Sequence, residues 1–182
     1  RSIPNLNVFR PADTIETFEC WQLALDNLKS PSILALTRQN LDPIRKEHTK
    51  ENKCSLGAYE VFRSQQDIQL SIFASGSEVN LALEVSHKLA MENIYSKVIS
   101  VPCQELFEKQ TEIYKKDILN EADFTITIEA GSTNSWHKFV KNKGLNFGID
   151  EFGKSAPYKE IYNYFGLTVE NIVNKTKNLV NN

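Results

Sequence analysis

Leu34-Ala35-Leu36-Thr37-Arg38-Gln39-Asn40-Leu41 is a short apolar run that ends in a cation with polar neighbours. Pro31 and Ser32 precede it and Asp42-Pro43 close it. A run of this kind between prolines reads as a buried strand whose polar tip emerges at the C-terminal end. In open α/β sheets, ligands bind outside the carboxyl ends of the strands. A guanidinium at that point can grip a phosphate or carboxylate with two parallel hydrogen bonds. The plainer reading of Arg38 is a pairing with a structural carboxylate at a domain edge.

Upstream, Asn7-Val8-Phe9 is a short strand candidate, and Arg10-Pro11-Ala12-Asp13 turns the chain into a helix. Asp13 is a good N-cap, with Glu16 where a capping box places its second acceptor. Ile15, Phe18, Trp21, Leu25 and Leu28 recur at three- and four-residue spacings, which predicts one apolar, core-facing side. Strand, helix, strand with a polar tip makes a βαβ unit.

Downstream, Asp42 to Ser55 is charged, with Arg45, Lys46, Glu47, His48, Lys50, Glu51 and Lys53, and reads as a solvated linker. Strands follow at Gly57 to Arg63 and Ile68 to Ala74. The turn Ser75-Gly76-Ser77-Glu78 then opens a helix to about Glu92, with Val79, Ala82, Leu83, Ser86, Leu89 and Ala90 on its buried face. Ser75 with Glu78 reads as a capping box, and the free N–H groups of the turn make a weak candidate for an anion site. Further strands are expected at Lys97–Val101, Phe124–Ile128 and Asn146–Ile149. Helices are expected at Gln104–Leu119 (anchored by Leu106, Phe107, Ile113 and Tyr114), around Trp136–Val140, at Tyr158–Phe165 with Gly166 as αL C-cap, and from Thr168 onward. Strands alternating with helices imply a mostly parallel sheet covered on both faces.

Composition fits this. The chain has 182 residues, 41% of them hydrophobic and 24% charged, with net charge -2. That gives no electrostatic case for nucleic acid or an anionic membrane. No apolar run approaches the ~20 residues that span a bilayer. Arg1-Ser2-Ile3-Pro4 lacks the apolar segment of a signal peptide. Arg1 in place of Met, and a first segment without an element before it to pack on, suggest a piece of a longer chain. Cys20, Cys54 and Cys103 are odd in number and far apart, which fits reduced, buried thiols. His48, His87 and His137 have no metal-ligand partners at suitable spacing. Of these, only His137 lies near a strand end. Glu129 also ends a strand, but no second titrating partner is evident, so a helix cap or an interdomain hydrogen bond is the stronger reading.

Thr37-Arg38-Gln39-Asn40-Leu41 resembles the Ser/Thr-Arg-Gln-Asn-Leu motif of transketolases. Asn5 to Asp13, followed by Glu16, is similar to the family's Pro-Asn-x-x-x-Trp/Phe-Arg-Pro-x-Asp...Glu pattern. Ala74-Ser75-Gly76-Ser77-Glu78, Ile128-Glu129-Ala130-Gly131, Phe152-Gly153 with Ser155-Ala156-Pro157, and Phe165-Gly166-Leu167-Thr168 with Glu170-Asn171-Ile172 extend the resemblance over nearly the whole chain.

The resemblance implies an α/β fold: a three-layer α/β/α domain with a mostly parallel five-stranded sheet and one antiparallel edge strand, preceded by a partial βαβ unit. Residues 1–44 would close the pyrimidine-binding (middle) domain, 45–56 would be a linker and 57–182 the C-terminal domain. The implied activity is transfer of a two-carbon ketol unit from a ketose phosphate to an aldose phosphate, in the pentose phosphate pathway, with thiamine diphosphate and a divalent cation (Mg or Ca). Arg38 is implied to bind the substrate phosphate. Catalytic, cofactor-binding and metal-binding residues are implied to lie upstream, so this piece alone is expected to be inactive. Implied partners are sugar phosphates, the rest of the chain and a second subunit, without nucleic acid or membrane, in the cytoplasm. The rival readings are dihydroxyacetone synthase, deoxyxylulose-phosphate synthase, a non-catalytic nucleotide- or anion-binding module on the Gly76 turn, and a subunit of a split enzyme.

Overall fold

The computed structural model describes residues 1–45, 49–140 and 143–181. His48, one of the three histidines considered above, lies outside the described residues.

The chain opens with β1 (Asn7–Phe9), α1 (Thr14–Asp26) and β2 (Ser32–Leu34). β1 and β2 pair in parallel, with Val8 opposite Ile33. Asp13 caps α1 by accepting from the Glu16 N–H at 2.7 Å. The Glu16 side chain reaches back one residue further than a standard capping box, to the Ala12 N–H at 2.7 Å.

Two expectations for this unit are corrected. The stretch from Leu34 is not a buried strand: β2 stops at Leu34, and Ile33 and Leu36 are 48% and 52% exposed. Among the described residues β2 pairs with β1 alone, which leaves its other edge open there. The apolar side of α1 does not face a core either: Phe18, Leu25 and Leu28 are 73%, 68% and 92% exposed, and Trp21 is 49% exposed. The buried residues of α1 are Glu16, Glu19 and Cys20. The elements packed there offer hydrogen-bond donors, so the polar side of the helix turns inward.

The charged linker is only partly solvated. Arg45 pairs with Glu19 at 2.8 Å and lies 5.4 Å from the Tyr59 ring. Residues Lys53–Leu56 form a 3-10 helix that buries Cys54, whose N–H donates to Glu19 at 3.0 Å.

Beyond it, β3 (Tyr59–Arg63), β4 (Leu70–Ala74), β5 (Ser96–Ser100), β6 (Phe124–Ile128) and β7 (Gly144–Phe147) form one sheet in the order β3-β5-β4-β6-β7. β3 is antiparallel to β5 and every other pairing is parallel, as expected. Alternate side chains serve opposite faces. Ile72, Val98 and Ile126 meet α2 (Glu78–Ala90) and α6 (Val169–Val180) through Val79, Val85, Leu89, Ile172 and Val173. Phe73 and Ile99 meet Phe107, Trp136 and Phe139 on the other face. The two faces make the three layers.

The helix expected over Gln104–Leu119 is two: α3 (Gln104–Glu108) and α4 (Glu112–Leu119). Thr111 breaks it by capping α4, accepting from the Tyr114 N–H. Ile113, expected as an anchor, is left exposed. The helix around Trp136 is a 3-10 turn, Thr133–Trp136, and β7 begins two residues earlier than expected. α5 (Tyr158–Tyr164) ends before Gly166, whose φ of +69° is the expected left-handed cap.

Candidate functional site

Three clefts surround the chain that leaves β2. One of ≈ 460 Å³ is lined by Asp13, Thr14, Thr17 and Thr37 among others. A second of ≈ 160 Å³ lies between Arg10, Thr37, Gly76 and Ser77. A third of ≈ 330 Å³ runs from Gln39 and Asn40 to Asn80, Tyr158 and Tyr162. Arg38 stands on this exposed loop, where its neighbours Thr37 and Gln39 line the clefts, and makes no ion pair among the described residues. The plainer reading, a structural carboxylate partner for Arg38, finds no such partner among the described residues. The loop is tied at its far end: the Ile44 N–H donates to Asp13 Oδ2 at 3.0 Å, and Asn80 Nδ2 donates to the Asp42 carbonyl at 3.2 Å.

Below this loop lies a charged node that periodicity does not reveal. Arg10, immediately after β1, donates through Nη1 to Glu129 Oε1 at 2.5 Å and through Nη2 to Glu78 Oε2 at 3.0 Å. Glu78 is fully buried and also accepts from the Ala130 N–H at 3.0 Å, Ser77 Oγ at 2.7 Å and the Tyr162 hydroxyl. Glu129 accepts from Trp136 Nε1 as well, and Arg1 Nη1 lies 3.3 Å from it. Burial lowers the pKa of Arg10, but Glu129 and Glu78 outweigh it and raise the value overall.

The expected Ser75–Glu78 capping box is absent. Ser77 is the N-cap and makes no side-chain cap bond, the Ser75 hydroxyl is buried without a partner, and Glu78 is drawn to Arg10 instead. By its sequence the turn is a candidate anion site. The structure puts two carboxylates beside it, and these hold a guanidinium. Glu129 accepts its hydrogen bond from Arg10 of the N-terminal βαβ unit.

A second buried group is Glu16. Its Oε1 accepts from the Tyr59 hydroxyl at 2.7 Å and Ser100 Oγ at 2.6 Å, and its Oε2 from the Ala12 N–H. Among the described residues no cation pairs with it; burial raises its pKa, and Asp13 raises it further, against the pull of those three donors. Burial likewise pushes up the Tyr59 phenol and the Cys54 thiol, and lifts Cys103 to about 12. All three cysteines are free and buried, and thiols of that kind are inert.

His137 is exposed, with Nδ1 3.3 Å from Asn146 Nδ2, and His87 is exposed with its ring edge-on to Phe62. Among the described residues, no group of three or more His, Cys, Asp or Glu side chains is placed to hold a metal ion. Sequence reasoning missed Arg10 and Tyr162. The available signal was that Arg10, Glu78 and Glu129 each directly follow, or nearly follow, a strand.

Residues 57–168 match the family described as the Transketolase-like TK C-terminal domain, and residues 1–43 match the transketolase pyrimidine binding domain. The transketolase of Sinorhizobium medicae is 42% identical over 95% of this chain and 25% of its own length. That of Bacillus subtilis is 42% identical over 100% of this chain and 28% of its own. The chain thus spans about a quarter of the length of the curated relatives it matches. A transketolase from Pichia stipitis, solved in complex with sedoheptulose 7-phosphate, superposes with TM-score 0.88 at 36% identity, over 99% of this chain and 26% of that one.

Proposed function

Since this chain belongs to the transketolase family, we propose that it forms the C-terminal quarter of an enzyme that transfers a two-carbon ketol unit from a ketose phosphate to an aldose phosphate. Residues 1–44 complete a pyrimidine-binding domain, 45–56 link, and 57–182 form the C-terminal domain. The reaction belongs to the pentose phosphate pathway in the cytoplasm, and the working enzyme is a homodimer.

The observation that carries the reading is Arg38. It is an exposed guanidinium on the loop that follows the parallel strand β2, without an ion-pair partner among the described residues, and its neighbours Thr37, Gln39 and Asn40 line clefts. Such a group binds a phosphate with two charge-assisted hydrogen bonds. Held by that end, the sugar presents its carbonyl to the reacting centre in one orientation.

The exposed apolar side of α1 supports the domain assignment. Phe18, Trp21, Leu25 and Leu28 are exposed apolar side chains that the remainder of a pyrimidine-binding domain would cover. The family uses thiamine diphosphate and a divalent cation, Mg or Ca. Both are held by other parts of the protein in this reading, and the role of this chain is to bind and orient the substrate. By itself the chain is expected to be inactive.

The test is Arg38→Ala in a full-length protein carrying this chain. Loss of charge-assisted hydrogen bonds worth about 1.5–3 kcal/mol corresponds to a KM for the ketose phosphate raised on the order of 10- to 100-fold, with thiamine diphosphate affinity unchanged. An unaltered KM overturns the proposal.

A further inference from the structure

The order β3-β5-β4-β6-β7 places a topological switch point between β4 and β6, because the chain crosses from β4 to β5 on one side and then returns past β4 to β6. In doubly wound sheets the crevice above that point is where ligands bind. Here the β4 side of the crevice carries Glu78 and the β6 side carries Glu129. The group between them is the guanidinium of Arg10, from the N-terminal βαβ unit, bonded to both carboxylates. Gly76 lets it lie close: an added Cβ there would come within 3.3 Å of Arg10 Nε and 3.4 Å of Nη2.

The backbone of Arg10 is held to the same domain. Its N–H donates to the Pro102 carbonyl at 2.8 Å, and its carbonyl accepts from the Gly76 N–H at 2.9 Å. The residue before it, Phe9, lies opposite Leu34 of β2 and accepts from the Ala35 N–H at 2.8 Å. Arg38 follows three residues later. A continuous set of hydrogen bonds therefore runs from the crevice through Arg10 and β1 to the base of the Arg38 loop.

We infer that the switch-point crevice of the C-terminal domain serves as a guanidinium socket, and that Arg10 seated in it is a positioning residue that sets where Arg38 meets the substrate phosphate. This rests on the role proposed above for Arg38. A rigid link matters because a small displacement of a bidentate contact loses both of its hydrogen bonds together.

The experiment uses the full-length protein and compares a ketose phosphate with the same ketose lacking its phosphate. Arg10→Lys leaves one charge in the socket but reaches only one carboxylate at a time. The expected result is a several-fold rise in KM for the phosphorylated sugar alone, with faster amide exchange at Ala35 and Gly76. Equal changes for both sugars, or none, overturn the inference if Arg38→Ala, measured beside it, does raise the phosphorylated KM. Unchanged exchange at Ala35 and Gly76 overturns it whatever Arg38 does. An unaltered KM in Arg38→Ala overturns the role of Arg38 instead. Should Arg10→Lys fail to fold, Tyr162→Phe removes only the hydroxyl that holds Glu78. It is expected to give the same selective rise, smaller in size, and an absence of selectivity overturns the inference.

Discussion

Replacing Glu16 tests how the two parts of the chain are joined, because its carboxylate lies in α1 while two of its donors, Tyr59 and Ser100, belong to the edge of the main sheet. Glutamine and alanine both remove the charge, so the difference between these variants isolates the hydrogen bonds. In Glu16→Gln the amide can turn its oxygen to the Ala12 N–H and donate to the Tyr59 and Ser100 oxygens, since hydroxyls accept as well as donate. In Glu16→Ala the Ala12 N–H, in a fully buried residue, has no acceptor, which costs about 1–3 kcal/mol. The two hydroxyls lose about 1 kcal/mol each. Glu16→Ala should thus be less stable than Glu16→Gln by about 3–5 kcal/mol, a Tm difference of about 6–20 °C for a chain of this size. The charge then appears in the pH dependence. Burial raises the pKa of Glu16 in the folded state, so its contribution is fully present below the unfolded value of about 4.3 and is lost as pH rises through the folded value. Relative to Glu16→Gln, the wild type should lose stability as pH rises above the unfolded value of about 4.3. Thermal unfolding followed by circular dichroism across that range measures both effects. Equal stability of the Ala and Gln variants, or a wild type that gains on Gln as pH rises, would refute the reasoning.

Gly57 has φ of +75°, and a methyl group there would collide with the Phe107 amide nitrogen and lie 2.5 Å from the Cys103 carbonyl. Gly57→Ala should therefore cost more than about 3 kcal/mol, read by urea unfolding, and a loss under about 1 kcal/mol would sink the argument. Glu121 has its pKa held down to about 2, first by hydrogen bonds from Arg63 and also by Lys97, against the opposing effect of burial. Its contribution is present above about pH 4.3 and lost as pH falls from there toward about 2. The Glu121 side chain is 39% exposed, so solvent screening limits the effect to less than about 1 kcal/mol. Glu121→Gln should flatten the acid limb of the stability profile, and an acid limb that matches the wild type counts against the pairing.

The main sheet was legible because its signals are local. Phe73-Ala74 before Ser75-Gly76, Phe124 to Ile128, the Gly166 cap and the Thr168 N-cap each act within a few residues, and each appears where its spacing predicts. The parallel pairing followed from alternation with helices, while the antiparallel edge strand β3 was implied by the family resemblance. Where local signals conflicted, the boundary moved: Thr111 capped a new helix inside a stretch that apolar spacing ran together.

Sequence alone determined that α1 has an apolar side and that a short strand leads to Arg38, which the structure places on the loop after β2. It did not determine which side of α1 meets the rest of the chain, because periodicity defines faces and not neighbours. Tertiary structure decided that: Tyr59, Ser100 and Arg45 stand next to α1, so Glu16 and Glu19 turn inward and Phe18 and Leu28 outward. It also decided the partners of Glu78, Glu129 and Arg10, which are 68 and 119 residues apart in the ion pairs they form. Charges at strand ends can be read from a sequence. Their convergence depends on which strands become neighbours, and only the order of the folded sheet brings β4 and β6 together over Arg10.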